Sequence, residues 1–236
     1  MERLDKVLSN MGIGSRKEVK ALVRAGEVSV DGKVVKDFGL QVDPYKSEIV
    51  VCGQLVEYRE FIYLMLNKPA GFVSATEDKH MRTVAELVPP QYAHFEPFPV
   101  GRLDIDTEGL LVMTNDGQLA HRLLSPKYKV PKLYYAQINV EAEEEDIEAF
   151  AQGVVLDDGY KTMPAKLEIP SKGEVLVTIH EGKFHQVKRM FESVGKEVIY
   201  LKRLSMGGLT LDEDLELGEI RELTPEEMGI LEGESR

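Results

Sequence analysis

Apolar residues recur at helical spacing twice at the start of the chain. The two apolar stripes consist of Leu4, Val7 and Leu8, and of Val19, Leu22 and Val23. Ser15 followed by Glu18 is typical of a capping box, and Gly26 of a C-terminal cap, which together delimit the second helix. Asp31-Gly32 then separates two short β-branched runs, as in a two-residue hairpin. The predicted order is therefore helix, helix, hairpin.

From about residue 61 the pattern changes to short strands separated by a few helices. The predicted strands are 61–67, 109–114, 133–140, 163–169, 175–181, 197–202 and 219–223, and the predicted helices are 117–124, 143–152, 184–194 and 225–231. Thr224 with Glu227 forms a second capping box, at the start of the terminal helix. These patterns predict an α+β fold with a small helical and hairpin domain at residues 1–58. A second domain, 61–236, would contain a mixed, mainly antiparallel sheet with flanking helices.

The composition is that of a globular protein, with 236 residues of which 43% are apolar. Cys52 is the one cysteine, and the five histidines are scattered, so no metal site is expected. We expect Cys52 to be a small buried apolar residue. The N-terminus has no long apolar run, which predicts neither a signal peptide nor a membrane span and favours a cytoplasmic protein.

The net charge of −12 is unusual for a protein that binds nucleic acid. The acids are concentrated, however, in residues 141–158, with eight acids and no base, and in residues 208–236, with ten acids and two bases. We interpret these runs as solvated faces. The remaining surface is then weakly basic, and Arg16, Lys17, Lys20 and Arg24 fall on the polar side of the second predicted helix.

The densest polar segment is GRLDIDTEGLLVMTNDG, residues 101–117. Arg102 and Asp104 would point the same way in extended backbone. Three interpretations of its acids remain open. They could form a calcium loop, although Asn115 occupies the position of the bidentate Glu, or a pair of glycosidase carboxylates. In a purely structural role, Asp106 and Asp116 would close turns.

Two further segments carry candidate chemistry. In HEGKFHQVKRMFESVG, residues 180–195, a helical stripe of Phe184, Val187, Phe191 and Val194 would leave Lys188 and Arg189 on other faces. Such bases at the start of a helix can meet a carboxylate or a phosphate. In KLYYAQINV the strand period places Lys132 and Tyr134 on one face.

Four segments in this order resemble the RsuA-type family of pseudouridine synthases over essentially the whole chain. MLNKPAGFVSA (65–75), GRLDIDTEGLLVMTNDG and EGKFHQVKRMF are similar to the three motifs of the family. The segment from residue 3 to residue 35 is similar to the ribosomal-protein-type RNA-binding module of these enzymes. Chance similarity to all four is improbable.

The resemblance implies a cofactor-free isomerase that detaches uracil at N1 and reattaches it at C5. It implies that Asp104 is the catalytic carboxylate and that Tyr134 packs on the target base. Lys188 stands where many relatives have arginine, and the resemblance implies that its charge keeps Asp104 ionised. Whether Asp104 attacks C1′ or takes a proton from C2′ stays open.

The resemblance also implies a ribosomal RNA partner, within an assembly intermediate of the small subunit, and a monomeric enzyme that needs neither metal nor membrane. Arg102 would replace the flipped base in the RNA helix. The residues expected to contact RNA are Arg102, Arg3, Lys6, Ser15, Arg16, Lys17, Lys20, Arg24, Lys68, His185 and Arg189. The segment F-H-Q-V-K-R is more similar to the sequence of the 16S enzyme than to those of the 23S enzymes, which implies uridine 516 of 16S rRNA as the target. The alternatives are a 23S enzyme, a non-catalytic assembly factor, and a glycosidase or nucleosidase.

Overall fold

The computed structural model describes residues 1–234, so the last two residues of the second predicted domain lie outside it. The chain forms two compact units. The first comprises Met1–Ile62 and Pro89–Glu96, and the second comprises residues 63–88 and the chain from residue 97 onward. The predicted boundaries, 1–58 and 61–236, differ from these units at two places, because residues 61 and 62 and the segment Pro89–Glu96 belong to the first unit.

The first unit has the predicted order of two helices and a hairpin. Its elements are β1 (Glu2–Arg3), α1 (Leu4–Asn10), α2 (Arg16–Ala25), β2 (Val28–Val30), β3 (Lys33–Val34), β4 (Gln41–Val42), β5 (Ile49–Val51), β6 (Gln54–Leu55) and α3 (Pro90–Ala93). Strands β3, β2, β5 and β6 form one antiparallel sheet, and β1 pairs with β4. Both predicted apolar stripes lie in its core.

Local sequence signals explain the boundaries of α2 and of the hairpin. The Ser15 hydroxyl accepts from the backbone N–H of Glu18 while the Glu18 carboxylate accepts from the N–H of Ser15, which confirms the capping box. Gly26 ends the helix with φ 80°. Asp31 and Gly32, with φ 50° and 74°, form the predicted hairpin turn.

Cys52 corrects a prediction, because it is exposed. It occupies the turn between β5 and β6 with φ 49°, followed by Gly53 with φ 79°. This pair of left-handed residues forms a second two-residue hairpin, and a position at the tip of a hairpin points away from the core. The rule that free cysteines are buried is overridden here by the requirements of the turn.

The second unit is built on one large sheet. Its elements are β7 (Tyr63–Lys68), a 3₁₀ turn (Val84–Leu87), β8 (Phe98–Pro99), β9 (Glu108–Thr114), α4 (Gly117–Leu124), β10 (Lys132–Ile138), α5 (Glu144–Gln152), β11 (Lys166–Ser171), β12 (Glu174–Ile179), α6 (Gln186–Ser193), β13 (Val198–Met206), β14 (Leu209–Thr210), β15 (Ile220–Glu222) and α7 (Pro225–Glu234). The strand order is β11-β12-β10-β13-β9-β7-β15, with β8 on β9 and β14 on β13. Only β13 and β9 pair in parallel among the described strands, so the mixed, mainly antiparallel α+β fold is confirmed.

Helices α4 and α7 begin at the residues that the sequence predicts. Asp116 accepts from the backbone N–H groups of Gln118 and Leu119, which confirms its predicted role in a turn and makes it the N-cap of α4. Thr224 and Glu227 form the predicted capping box of α7. A core cluster that includes Met65, Val112, Leu119, Leu123 and Leu231 packs α4 and α7 on β7 and β9. Within residues 1–234, no helix combines the length and apolar character needed to cross a membrane.

Most acids of the two acidic runs are exposed, as predicted, but several of them pair with bases. Asp146 is buried and pairs with Lys196 at 2.8 Å. Arg189 is bound by Asp157 and by Asp158, and Glu141 pairs with Lys172. In the C-terminal run, Arg221 pairs with Asp212 at 2.7 Å and with Glu227 at 2.8 Å. Several of these acids are therefore neutralised by bases of the same unit.

We expect Gly109 to be the most demanding position of β9. A Cβ atom at this residue would lie 2.3 Å from the carbonyl oxygen of Arg203 in β13, and its φ of 99° is strained for any other residue. Gly109→Ala should therefore lower the free energy of unfolding by about 3 kcal/mol or more, measured by urea denaturation. Gly117→Ala is the matched control, since a Cβ there meets open space, and it should cause no loss. Equal stability of the two variants would contradict the close approach of β9 and β13.

Candidate active site

A cavity of about 760 Å³ opens in the second unit beside the segment 101–107. Its lining includes Arg102, Asp104, Tyr134 and His185, four of the residues predicted from sequence to carry function. Three separate stretches of sequence, 101–107, β10 and the start of α6, therefore meet at one cavity. The distances among their side chains determine what chemistry this site can support.

The position of Asp104 is fixed by a hydrogen bond of its backbone carbonyl. Its carbonyl oxygen accepts from the N–H of Thr107 at 3.1 Å, which closes a turn before β9 begins. The neighbouring Leu103 is buried, and the hydroxyl of Ser74 both accepts from the Leu103 N–H at 3.0 Å and donates to the Leu103 carbonyl at 2.9 Å. A buried Leu103 between Arg102 and Asp104 is consistent with the predicted alternation up to that point. Ser74 lies in the first motif segment, and its hydrogen bonds to the Leu103 backbone were not predicted from the sequence.

Lys68 corrects a prediction and explains the shape of the loop. Its side chain is completely buried, so it has no path to an RNA phosphate. Its ammonium group donates to the carbonyl oxygens of Thr107 at 2.8 Å, Asp104 at 3.0 Å and Pro69 at 3.1 Å. An ammonium has three N–H groups, and three short bonds use all of them. Burial lowers the pKa of Lys68 to about 8, opposed by the charges of Asp106 and Asp104.

The base facing the acids is Lys188 of α6. Its ammonium lies 3.7 Å from Asp104 Oδ2 but only 2.6 Å from Asp106 Oδ1. The expected pairing with Asp104 is thus present as a longer contact, and Asp106 is the nearer partner. Burial acts to raise the pKa of Asp106, yet the hydrogen bond and the charge of Lys188 hold this pKa below its usual range. Asp106 was predicted to close a turn, and its carboxylate is instead the counter-ion of Lys188.

Helix α6 begins at Gln186, two residues later than predicted, and this changes which residues it buries. Val187, Met190 and Phe191 form the buried face, with the Phe191 ring 5.0 Å from that of Phe150 in α5. Phe184 precedes the helix and is exposed, which contradicts its predicted place in the apolar stripe. His185 takes a left-handed conformation with φ 48° and places its Nε2 atom 3.7 Å from Asp104.

A bulge brings two buried cations to the cavity beside Tyr134. Between Leu133 and Tyr134 the register against β13 shifts by one residue, so that Tyr134 faces Arg203. Arg203 donates through Nε to the carbonyl of Leu110 at 2.8 Å, and its Nη2 atom has no hydrogen-bond partner among the described residues. Burial lowers the pKa of Lys132 to about 8, and the charge of Arg203 acts in the same direction. Lys132 and Tyr134 were predicted to share a strand face, whereas Arg203 was not predicted to join them. Its signal was an arginine at an inward position of an alternating strand.

Some of the other residues predicted to contact RNA have partners within the protein, and others are exposed. Arg189 is bound by Asp157 and Asp158, so we withdraw it as a phosphate contact. In the first unit, Arg3 pairs with Asp5 and Lys6 with Glu2. The Ser15 hydroxyl serves the capping box. The α2 bases Arg16, Lys17 and Arg24 are exposed, while Lys20 lies over the ring of Phe38 at 4.5 Å.

Among residues 1–234, no group of three or more His, Cys, Asp or Glu side chains is arranged to hold a metal ion.

Comparison with known proteins identifies the family. Residues 62–193 match the model of the RNA pseudouridylate synthases, and residues 2–44 match the S4 domain. This chain belongs to the RNA pseudouridylate synthase family. The match includes all three motif segments in the second unit, so the resemblance and the isomerase class of the enzyme are confirmed.

Relatives of the synthase align over nearly its whole length. An uncharacterized RNA pseudouridine synthase of Bacillus subtilis, YtzG, is 57% identical, covering 97% of this chain and 98% of its own. The ribosomal small subunit pseudouridine synthase A of Vibrio cholerae is 42% identical, covering 97% and 99%. The ribosomal large subunit pseudouridine synthase B of Bacillus subtilis is 40% identical, covering 97% and 94%. Small-subunit and large-subunit enzymes are thus about equally similar to this synthase.

The bonds of Lys68 predict a specific dependence of stability on pH. Lys68→Met removes the donor for three carbonyls, of which that of Thr107 is fully buried, and should lower the free energy of unfolding by about 3 kcal/mol at pH 7, measured by urea denaturation. The native state holds the Lys68 proton less tightly than the unfolded chain. The stability of the wild type relative to the variant should therefore rise between pH 8 and pH 10, by up to about 1.4 kcal/mol per pH unit. A difference that stays constant over this range would contradict a buried, charged Lys68.

Proposed function

We propose that this synthase isomerises a uridine of ribosomal RNA to pseudouridine, with Asp104 as the group that reacts with the ribose. The observation that carries the proposal is a carboxylate that lies beside two bases and lines the same cavity as a buried tyrosine. Asp104 has Lys188 and His185 each at 3.7 Å. Lys132 and Arg203 add further positive charge to the lining. Positively charged side chains therefore surround the Asp104 carboxylate.

The reaction needs the carboxylate of Asp104 on either of two routes. The N1–C1′ bond breaks, the uracil turns within the cavity, C5 bonds to C1′, and the proton lost from C5 is balanced by one gained at N1. Asp104 can attack C1′ as N1 leaves and be displaced when C5 bonds to C1′, or it can remove the proton from C2′ and return it to C2′ after C5 has bonded. Both routes begin from the carboxylate. Tyr134 is a buried residue of the cavity lining and would pack on the extruded uracil. Arg102, exposed at the cavity, would fill the gap that the base leaves in the RNA.

For the substrate, we propose 16S rRNA and the uridine named above. The support is the F-H-Q-V-K-R segment, residues 184–189, together with the similarity to a ribosomal small subunit enzyme. The alternative is 23S rRNA, because the large subunit enzyme has almost the same identity.

The substrate is tested with unmodified transcripts. Full-length 16S and 23S transcripts, and reconstituted small-subunit particles, are incubated with the protein, labelled with carbodiimide and mapped by primer extension. A single new stop in 16S RNA is the expected result, and a stop confined to 23S RNA would overturn the choice of substrate. Release of free uracil would instead indicate a glycosidase, and the absence of any stop would indicate a non-catalytic assembly factor.

We expect Asp104→Asn to fold and bind RNA while forming no pseudouridine. The amide has the shape of the carboxylate but is neither nucleophilic nor basic, so turnover should fall by at least about a hundredfold, or about 3 kcal/mol of barrier. Asp106→Asn is the matched control on the same loop. It removes the nearer partner of Lys188 but leaves its charge beside Asp104, and it should keep activity within about tenfold. Turnover of Asp104→Asn above about one per cent of the wild type would refute the assignment.

The exposed bases of α2 should bind RNA through phosphates. Arg16→Glu with Lys17→Glu in the full-length protein should weaken rRNA binding and lower the slope of log K against log salt by about two, because two phosphate contacts are lost. The control is Arg3→Ala, whose guanidinium pairs with Asp5, and it should change the slope less. Titrations by filter binding from 50 to about 300 mM salt measure both. An unchanged slope in the double variant would show that this helix face is only solvated.

A further inference from the structure

An exposed aromatic ring stands at the edge of the cavity and has no role in the proposed reaction. Phe184 is 72% exposed although it lies among residues that line the cavity. Its ring stacks on that of His185, with 3.7 Å between centroids and 19° between planes. Nε2 of His185 is in turn 3.7 Å from Asp104. A continuous path of two stacked rings therefore leads from the carboxylate to the surface.

The backbone around Phe184 is held firmly. The left-handed φ of His185, uncommon outside glycine, sets the two neighbouring rings side by side. The Gln186 side chain accepts from the N–H of Lys183 at 2.8 Å, and the Gln186 N–H donates to the Lys183 carbonyl at 3.2 Å. Arg189 donates to the Phe184 carbonyl at 3.3 Å, and Arg189 itself is fixed by Asp157 and Asp158. The exposed ring is thus presented in a defined orientation.

From this arrangement we infer that Phe184 is a stacking platform for the nucleobase next to the target uridine. The inference rests on the proposed function, which places the ribose of that uridine at Asp104. The rings of His185 and Phe184 are separated by nearly the spacing of stacked bases, about 3.4 Å. A base on the outer face of Phe184 would continue this stack. The neighbouring base needs such a surface, because extrusion of the uridine removes its stacking partner.

The platform selects for a base without reading its identity, since every base has a flat face. Lys183, beside Phe184 and also exposed, adds a positive charge at the same edge of the cavity, where it can meet the phosphate of the stacked nucleotide. Phe184 is therefore a positioning residue for RNA and does not touch the reacting atoms. Its loss should raise KM more than it lowers kcat.

The test uses 2-aminopurine, a base whose fluorescence falls when it stacks. Two synthetic RNAs contain the target uridine with 2-aminopurine on its 5′ or its 3′ side, and they are bound to Asp104→Asn protein so that no turnover occurs. We expect quenching on one side of the uridine. In the Asp104→Asn background, Phe184→Leu should abolish this quenching, whereas Phe184→Tyr, which keeps the ring, should retain it.

Steady-state kinetics with otherwise wild-type protein and unlabelled RNA provide the second readout. Phe184→Leu should raise KM about tenfold, and Phe184→Tyr should stay within about twofold of the wild type. Ile199→Ala, which shortens another exposed apolar side chain outside the cavity lining, is the control for a general surface effect. Retained activity in Phe184→Tyr would also show that the loop tolerates substitution at this position.

Three results would overturn the inference. They are quenching that is absent on both sides, quenching that survives in Phe184→Leu, and a Phe184→Tyr variant as impaired as Phe184→Leu. Failure of the proposed function is a separate outcome, because it appears as absence of pseudouridine with the wild-type protein on every rRNA. Phe184-dependent quenching in that case would still support the platform.

Discussion

The candidate active site depends on one buried ammonium group. Lys68 lies at the end of β7, a strand buried along nearly its whole length. Its ammonium donates to the carbonyl oxygens of Asp104 and Thr107, in the loop that carries Asp104, and to that of Pro69. Burying a charge is costly unless hydrogen bonds replace water. Hydrogen bonds to the loop carbonyls replace those to water, so Lys68 and the loop stabilise each other. Any displacement of the loop would leave either a buried cation or several buried carbonyls without partners.

This arrangement determines how charge is distributed around Asp104. A second cation, Lys188, approaches from α6 and is shared between Asp104 and Asp106, with the shorter contact to Asp106. Asp106 therefore holds the ammonium near Asp104 without itself lying in the cavity lining. Two acids with different surroundings on one loop can take different roles, one exposed to the substrate and one orienting a base.

The overall negative charge is compatible with an RNA-binding enzyme because several of its acids are paired with bases of the protein. Asp146, Asp157 and Asp158 pair with Lys196 and Arg189, and Asp212 with Arg221. These pairs fix the positions of helices and loops, including the segment that presents Phe184. Cations left without such carboxylate pairs, on α2 and in the cavity, then determine where a polyanion can bind.

The sequence by itself determined the features that depend on neighbours in the chain. Caps such as Ser15 and Asp116, the Asp31-Gly32 turn, the strand faces of Lys132 and Tyr134, and the motif that contains Asp104 all follow from local periodicity or from a recognisable order of segments. Such signals are short-range, because a cap or a turn is closed by residues two to four positions apart.

Only the tertiary structure decided which polar groups are buried together. The sequence could not show that Lys68 serves the loop, that Asp106 is the nearer partner of Lys188, or that Arg189 is already neutralised. It also misplaced Phe184 and Cys52, since an amphipathic pattern does not reveal where a helix begins or which hairpin tip excludes a side chain. The physical reason is that partners of charged groups come from residues distant in the chain. Lys68 and Asp104 are brought together by β7 and β9, and Lys188 reaches Asp106 across 82 positions of sequence.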